Sequence, residues 1–99
     1  MRQKSLPTVP EVRQKILPIL VRHGVRRAGI FGSLARGDAH SRSDVDLLID
    51  LPTPISHFAF VGLKLELEDA LGRKVDLAEY DAVKAAIRER VLTEEVRIL

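Results

Sequence analysis

The sequence predicts an α/β (α+β) fold, a small mixed sheet of about three strands with flanking helices. Three observations predict it. Val45, Leu47, Ile49 and Leu51 fall on one face of a strand, while Asp44, Asp46, Leu48 and Asp50 fall on the other. Apolar residues recur at helical spacing in Val12, Ile16, Ile19 and Leu20, and again in Phe60, Leu63, Leu67, Ala70 and Leu71. Helix and strand patterns then take turns along the chain, in the order α-β-α-β-α-β-α. The length of 99 residues suits one small domain, residues 1–99, with a core modest enough for stability to be marginal without a partner.

The elements follow in order. Met1 to Pro7 reads as a loose arm. Thr8 and Glu11 form a capping box, and Pro10 falls in the first turn, where a missing N–H costs little. The first helix runs from about Pro10 to His23, disturbed by Pro18 and stopped by Gly24. Val25 to Phe31 is a short strand, broken by Gly32-Ser33. Ser33 can cap a short helix to about Gly37, and Ala39 to Ser43 is polar loop. Val45 to Leu51 is the second strand, ended by Pro52 and Pro54. Ser56 to Leu71 is a helix with Gly72 past its end. Phe58, Val61 and Leu65 form a second apolar stripe on it. An open sheet needs only one such stripe, so this one is either covered by the terminal segments or a surface for a partner. Lys74 to Ala78 is the third strand, and Asp81 can cap a last helix whose inner face is Val83, Ala86, Ile87 and Val91. Val96 to Leu99 fits helix, strand or tail.

The strand-helix-strand unit from Val45 to Ala78 should be a right-handed crossover between parallel strands. A shorter connection lets the first strand lie antiparallel beside the second. Gly32-Ser33, Asp44, Asp46 and Asp76 would then meet at one edge of the sheet.

Composition excludes several classes. The absence of cysteine rules out disulfides, thiol catalysis and cysteine-ligated zinc. The formal charge of +2 is too small for bulk charge to signal nucleic-acid binding, and no stable DNA binding is expected. No apolar run reaches the roughly 18 residues of a membrane span. The N-terminus has the positive start of a signal peptide but no apolar core behind it, so a cytoplasmic protein is expected.

The chemistry-bearing residues cluster in GSLARGDAHSRSDVDLLID, Gly32 to Asp50. Asp44 and Asp46 share a face at about 6–7 Å along the backbone. Carboxylates so close repel, and a hard cation between them relieves the repulsion. Mg²⁺ suits such a pair, because it takes oxygen ligands from one or two carboxylates together with substrate phosphates. Asp76 would help hold a second ion. Taken alone, Asp-x-Asp is equally a turn cap followed by a solvated strand residue. Gly32 lets a phosphate approach the backbone, the next amides can bind it and Ser33 can add a hydroxyl, yet the same pair also makes a plain turn. It is not a P-loop, which ends in Lys-Ser/Thr. Arg36 and Arg42 flank the loop and are either triphosphate partners or solvated arginines. With Ser43 they complete the candidate nucleotide-binding set. His23, His40 and His57 show no metal-ligand spacing, Asp38 reads as a turn residue and Asp50 lies too far along its strand.

Gly-Ser, ten residues, then Asp-x-Asp resembles the signature of the DNA polymerase β-like nucleotidyltransferase superfamily. FGSLARGDAHSRSDVDLLID, with VRRAGIFGS before it and GRKVDLAEYD after it, looks like the minimal nucleotidyltransferases, over most of the chain. The resemblance implies a polymerase β palm-like fold. It implies that Gly32 and Ser33 hold the nucleotide phosphates, that Asp44 and Asp46 bind two Mg²⁺ ions, and that Asp76 completes the triad. Many similar domains are antitoxins of all-helical HEPN toxins, which implies transfer of AMP from ATP to a toxin tyrosine. A protein acceptor, or a second copy, would dock on Phe58, Val61 and Leu65. The alternative is a non-catalytic module that neutralises a helical toxin by contact alone.

Overall fold

The computed structural model describes residues 7–40 and 43–99. Helix α1, Val9–Arg22, starts where expected: the Thr8 hydroxyl accepts the Glu11 N–H at 3.2 Å, and Pro10 lies in the first turn. Pro18 sits exposed within α1 and does not end it. Strand β1, Arg27–Phe31, is followed directly by the short helix α2, Gly32–Arg36. Strand β2, Val45–Asp50, leads through helix α3, His57–Leu71, to strand β3, Val75–Glu79. A 3-10 turn, Tyr80–Ala82, helix α4, Ala85–Glu94, and strand β4, Val96–Arg97, complete the chain.

The sheet has the order β3-β2-β1-β4. β1 lies antiparallel to β2, as its connection allows, and β2 parallel to β3 across α3, as expected of a strand-helix-strand unit. The sheet has four strands where about three were expected. The extra one comes from the Val96–Leu99 segment, which pairs Arg97 with Gly29 and Val96 with Ile30. Two residues carry no period, so no alternation announces this strand. It is held by the Ala28 N–H donating to the Leu99 carbonyl at 3.1 Å, and by Arg13 Nε donating to the Ile98 carbonyl at 3.0 Å.

One face of the sheet carries the core. Ala28, Ile30, Val45, Leu47, Ile49, Val75 and Leu77 pack against Val12, Ile16 and Leu20 of α1 and Leu63 and Leu67 of α3. The alternation of β2 therefore does what it promised: Val45, Leu47 and Ile49 go inward, and Asp46, Leu48 and Asp50 go to the other face.

Three local expectations are corrected. Ser33 does not cap α2; the helix begins at Gly32, behind an extended Phe31 that makes no side-chain cap bond. Asp81 does not cap α4 either. It is used up in the 3-10 turn, and Lys84 stands at the α4 N-cap without a side-chain bond. The stripe Val83, Ala86, Ile87 and Val91 is not a buried inner face, since no residue of α4 is buried. Of the Phe58, Val61 and Leu65 stripe, Val61 is half-buried, while Phe58 is 90% exposed and Leu65 55%.

Glu68 joins α3 to β3. Its carboxylate accepts the Val75 N–H and the Lys64 ammonium, each at 3.0 Å. The Val75 bond first, and Lys64 second, lower its pKa below the ordinary 4.5. A lowered folded pKa means the contribution is full above the unfolded value and is lost as pH falls through the folded one. The stability gap between wild type and Glu68→Gln, read from urea midpoints, should therefore be present at neutral pH and close as pH drops below 4.5. Leu67→Ala should cost about 2–5 kcal/mol in the same assay, because it opens a cavity between α3 and the sheet.

Candidate active site

The open face of the sheet is where the acidic residues gather. Register sets this. Asp46 stands opposite Phe31 across the antiparallel pair and opposite Asp76 across the parallel pair. Register partners share a face, and neighbouring strands lie about 4.8 Å apart, so the Asp46 and Asp76 side chains leave the same side of the sheet as neighbours. Asp44, exposed just before β2, shares that face by alternation. Half-burial is the first cause that pushes the Asp46 carboxyl above the ordinary range; the charges of Asp76 and then Asp44 add to it, and Arg36 opposes them. All three aspartates and Arg36 thus act on one point.

Gly32 lies beneath that point. Its φ is +67°, a backbone conformation that favours glycine, and a Cβ here would come 2.0 Å from Asp46 Oδ2. The end of β1 is therefore pressed against the carboxylate that β2 presents. Ser33 is half-buried in the first turn of α2, and its carbonyl accepts the Asp38 N–H at 2.9 Å, which folds the chain back.

The remaining candidates are placed as follows. Arg36 Nε pairs with Asp38 at 3.3 Å, and its Nη1 lies 3.9 Å from Glu94. Arg42 lies outside the described residues. Ser43 shapes the loop: its hydroxyl accepts the His40 N–H at 2.9 Å, and its carbonyl accepts from Arg73 at 3.1 Å. Asp50 is paired with Arg26 at 2.8 Å, at the other end of β2 from Asp46.

A hollow of about 500 Å³ opens beside the carboxylates, between the open face and α4. Asp46 and Asp76 line it together with Phe31, Leu48, Ala78, Val83, Lys84, Ile87 and Val91. Sequence reasoning missed this hollow, because it counted Val83, Ile87 and Val91 as core.

It also missed a polar cluster behind Phe31. The Glu95 side chain, 6% exposed, lies over Gly29, where a Cβ would meet it at 2.6 Å. Glu95 accepts from Arg27 Nη2 at 2.8 Å and from the Tyr80 hydroxyl. The Arg27 guanidinium stacks 4.5 Å from the Tyr80 ring centre, and that ring meets Phe31 edge-on at 6.4 Å. Burial, then Glu95, pushes the Tyr80 phenol well above its ordinary pKa of 10. A glycine in mid-strand was the one hint of it in the sequence.

Among the described residues no three His, Cys, Asp or Glu side chains stand close enough together to hold a metal ion. The donor set nevertheless fits a hard divalent cation. Asp46 and Asp76 stand side by side as oxygen donors; burial is the main cause of the raised Asp46 pKa, and a cation would relieve the smaller part that Asp76 and Asp44 add.

Sequence and structure comparisons agree on what this arrangement belongs to. Residues 14–99 match the family described as polymerase beta, nucleotidyltransferase. A Methanocaldococcus jannaschii protein with the provisional name of protein adenylyltransferase is 42% identical over 91 residues, covering 92% of this chain and 98% of its own. The protein adenylyltransferase MntA of Thermococcus cleftensis is 43% identical over 77 residues, 78% of each chain. Among solved structures, one described provisionally as a minimal nucleotidyltransferase superposes with a TM-score of 0.79 at 34% identity, over 94% of this chain and 98% of its own. A toxin-antitoxin with AMP-PNP shares the fold at TM-score 0.78 and 24% identity, over 88% of this chain and 72% of that one. A tri-AMPylated Shewanella oneidensis HEPN toxin in complex with an MNT antitoxin does so at 0.70 and 20%, over 89% and 69%. With the match running from residue 14 to residue 99, and with relatives this similar along most of their length, the chain belongs to the polymerase β nucleotidyltransferase family.

Proposed function

We propose that this nucleotidyltransferase, acting as a single minimal domain over residues 1–99, moves AMP from ATP to a tyrosine hydroxyl of a helical HEPN toxin, and so serves as its antitoxin in the cytoplasm. The observation that carries the reading is the register of Asp46 with Asp76, on one face and against Gly32. It gives Asp44 and Asp46, at the start of β2, a third carboxylate from a separate strand. The adenylyltransferase names of the relatives, and the AMPylated HEPN toxin in one neighbour's complex, support the choice of AMP and of a protein acceptor.

The chain's residues divide the work. Gly32 and Ser33 would hold the nucleotide phosphates, and Arg36, Arg42 and Ser43 complete the nucleotide-binding set. Asp44, Asp46 and Asp76 would hold two Mg²⁺ ions, which supply charge neutralisation at the attacking and leaving oxygens. Asp76, on the outer side of Asp46, orients the acceptor hydroxyl and takes its proton. The hydroxyl oxygen bonds to the α-phosphorus, the bond to the bridging oxygen breaks, and pyrophosphate leaves. Positioning and fixed charge provide most of the rate.

The stripe of Phe58 and Leu65 supports a protein contact, and with it a second reading in which the toxin is neutralised by binding alone. Labelled ATP, Mg²⁺ and the helical protein encoded beside this chain separate the two. Label should pass to the partner, fall about a hundredfold or more in Asp46→Asn, and vanish when EDTA removes the metal. Neutralisation that survives in the Asp44→Asn, Asp46→Asn double variant would leave only the binding role. Gly32→Ala should lose transfer to a similar degree and cost about 1–2 kcal/mol in a thermal melt, from the left-handed backbone alone.

A further inference from the structure

We propose that Arg73 is a positioning residue for Asp44: it reaches out from the start of β3 and clamps the backbone on which that carboxylate stands. The proposal rests on the metal-dependent transfer reading above and adds the residue that keeps one of its carboxylates in place.

Of the three carboxylates, Asp44 is the one that no strand holds. Asp46 and Asp76 face each other in the β2–β3 ladder, but β2 begins at Val45, so Asp44 stands at the end of the preceding loop. Sites on loops are less precise than sites on strands unless a further shell of bonds supports them. Here both neighbours of Asp44 are fixed from the same place. The Ser43 carbonyl accepts from Arg73 Nη1 at 3.1 Å, and the Val45 N–H donates to the Lys74 carbonyl at 3.0 Å. Residues 73 and 74 thus bracket Asp44, and Asp76 follows shortly after on the same strand.

The two bonds differ in what they depend on. The one from Val45 is made by backbone alone and survives any side chain at position 74. The one to Ser43 is made by a side chain, joins residues 30 positions apart and is half-buried. Ser43 is also bonded locally: its N–H donates to the His40 carbonyl at 3.0 Å, and its hydroxyl accepts the His40 N–H at 2.9 Å. Those bonds close the turn on itself, whereas Arg73 ties the turn to the sheet. A charged donor makes this a stronger bond than a neutral one would. The arginine has a firm base as well, because the Glu68 carboxylate of α3 accepts the Val75 N–H at 3.0 Å and fixes the strand start. A group that orients a metal ligand without touching the metal commonly carries about a tenfold or larger share of the affinity.

Mn²⁺ takes the same oxygen ligands as Mg²⁺, and the electron paramagnetic resonance signal of the free ion reports its binding without nucleotide or turnover. Arg73→Met keeps the aliphatic stem and removes the donor, and it should weaken Mn²⁺ binding about tenfold. A single bond to a carbonyl needs no planar fork, so Arg73→Lys should recover most of that loss. Both variants should still melt cooperatively, because the bond lies at a half-buried loop and not in the core. Arg26→Ala, which breaks the pair with Asp50 at the other end of β2, is the control and should bind Mn²⁺ as the wild type does. In label transfer, the Mg²⁺ midpoint of Arg73→Met should rise by the same factor, with kcat at saturating Mg²⁺ little changed. Unchanged Mn²⁺ affinity in Arg73→Met, a loss that Arg73→Lys does not recover, or a wild type that takes up no Mn²⁺ would each overturn the proposal. A wild type that binds Mn²⁺ but transfers no label would sink the transfer reading, while the titration still decides the role of Arg73.

Discussion

Everything at this site follows from one constraint: β2 and β3 run parallel with Asp46 and Asp76 in register. Two like charges on adjacent strands oppose folding, and Asp44 adds a third. The sheet tolerates the conflict because its stability comes from the opposite face, where Leu47, Ile49 and Leu77 meet α1 and α3. A cation bound there would relieve that repulsion. A change of register by one residue would turn Asp46 into the core and Leu47 out of it, so the same alternation that builds the core fixes the site.

How much of this could be read from the chain depends on the range of the interaction. The face of Asp44 and Asp46 was legible because it needs only the strand period, and the Leu63 and Leu67 stripe because it needs only the helix period. The parallel β2–β3 pairing followed from the strand-helix-strand unit, while the antiparallel β1–β2 pairing was only allowed by its connection. The meeting of Asp46 with Asp76 was permitted by the sequence but decided by register, which involves strands separated by a whole helix. Gly32 showed as a turn; that its missing Cβ makes room for Asp46 is a contact no local pattern carries.

The errors have the same physical origin. Asp81 and Ser33 are good capping residues by type, but a cap works only where the helix begins, and the 3-10 turn at Tyr80 shifts that start. β4 is stabilised by partners in β1 and α1 far away in sequence. Glu95 finds Arg27 across 68 positions. Val83, Ile87 and Val91 have helical spacing, and apolar residues at that spacing are usually core. Here they line a hollow instead.

That difference bears on how α4 is held. A helix anchored by its apolar face would have closed the hollow with its own side chains. This one is tied at its C-terminal end, where Glu95 caps it and reaches Arg27 and Tyr80. A buried carboxylate is costly unless its partners are in place, and here a guanidinium and a phenol both are. The cost is therefore local, and the gain is a helix fixed in position with its apolar side still uncovered. Tyr80 touches Phe31, and Phe31 stands opposite Asp46, so the same cluster braces the carboxylate site from behind. A small sheet can in this way carry a reactive site and an open apolar wall on one face, while its core occupies the other.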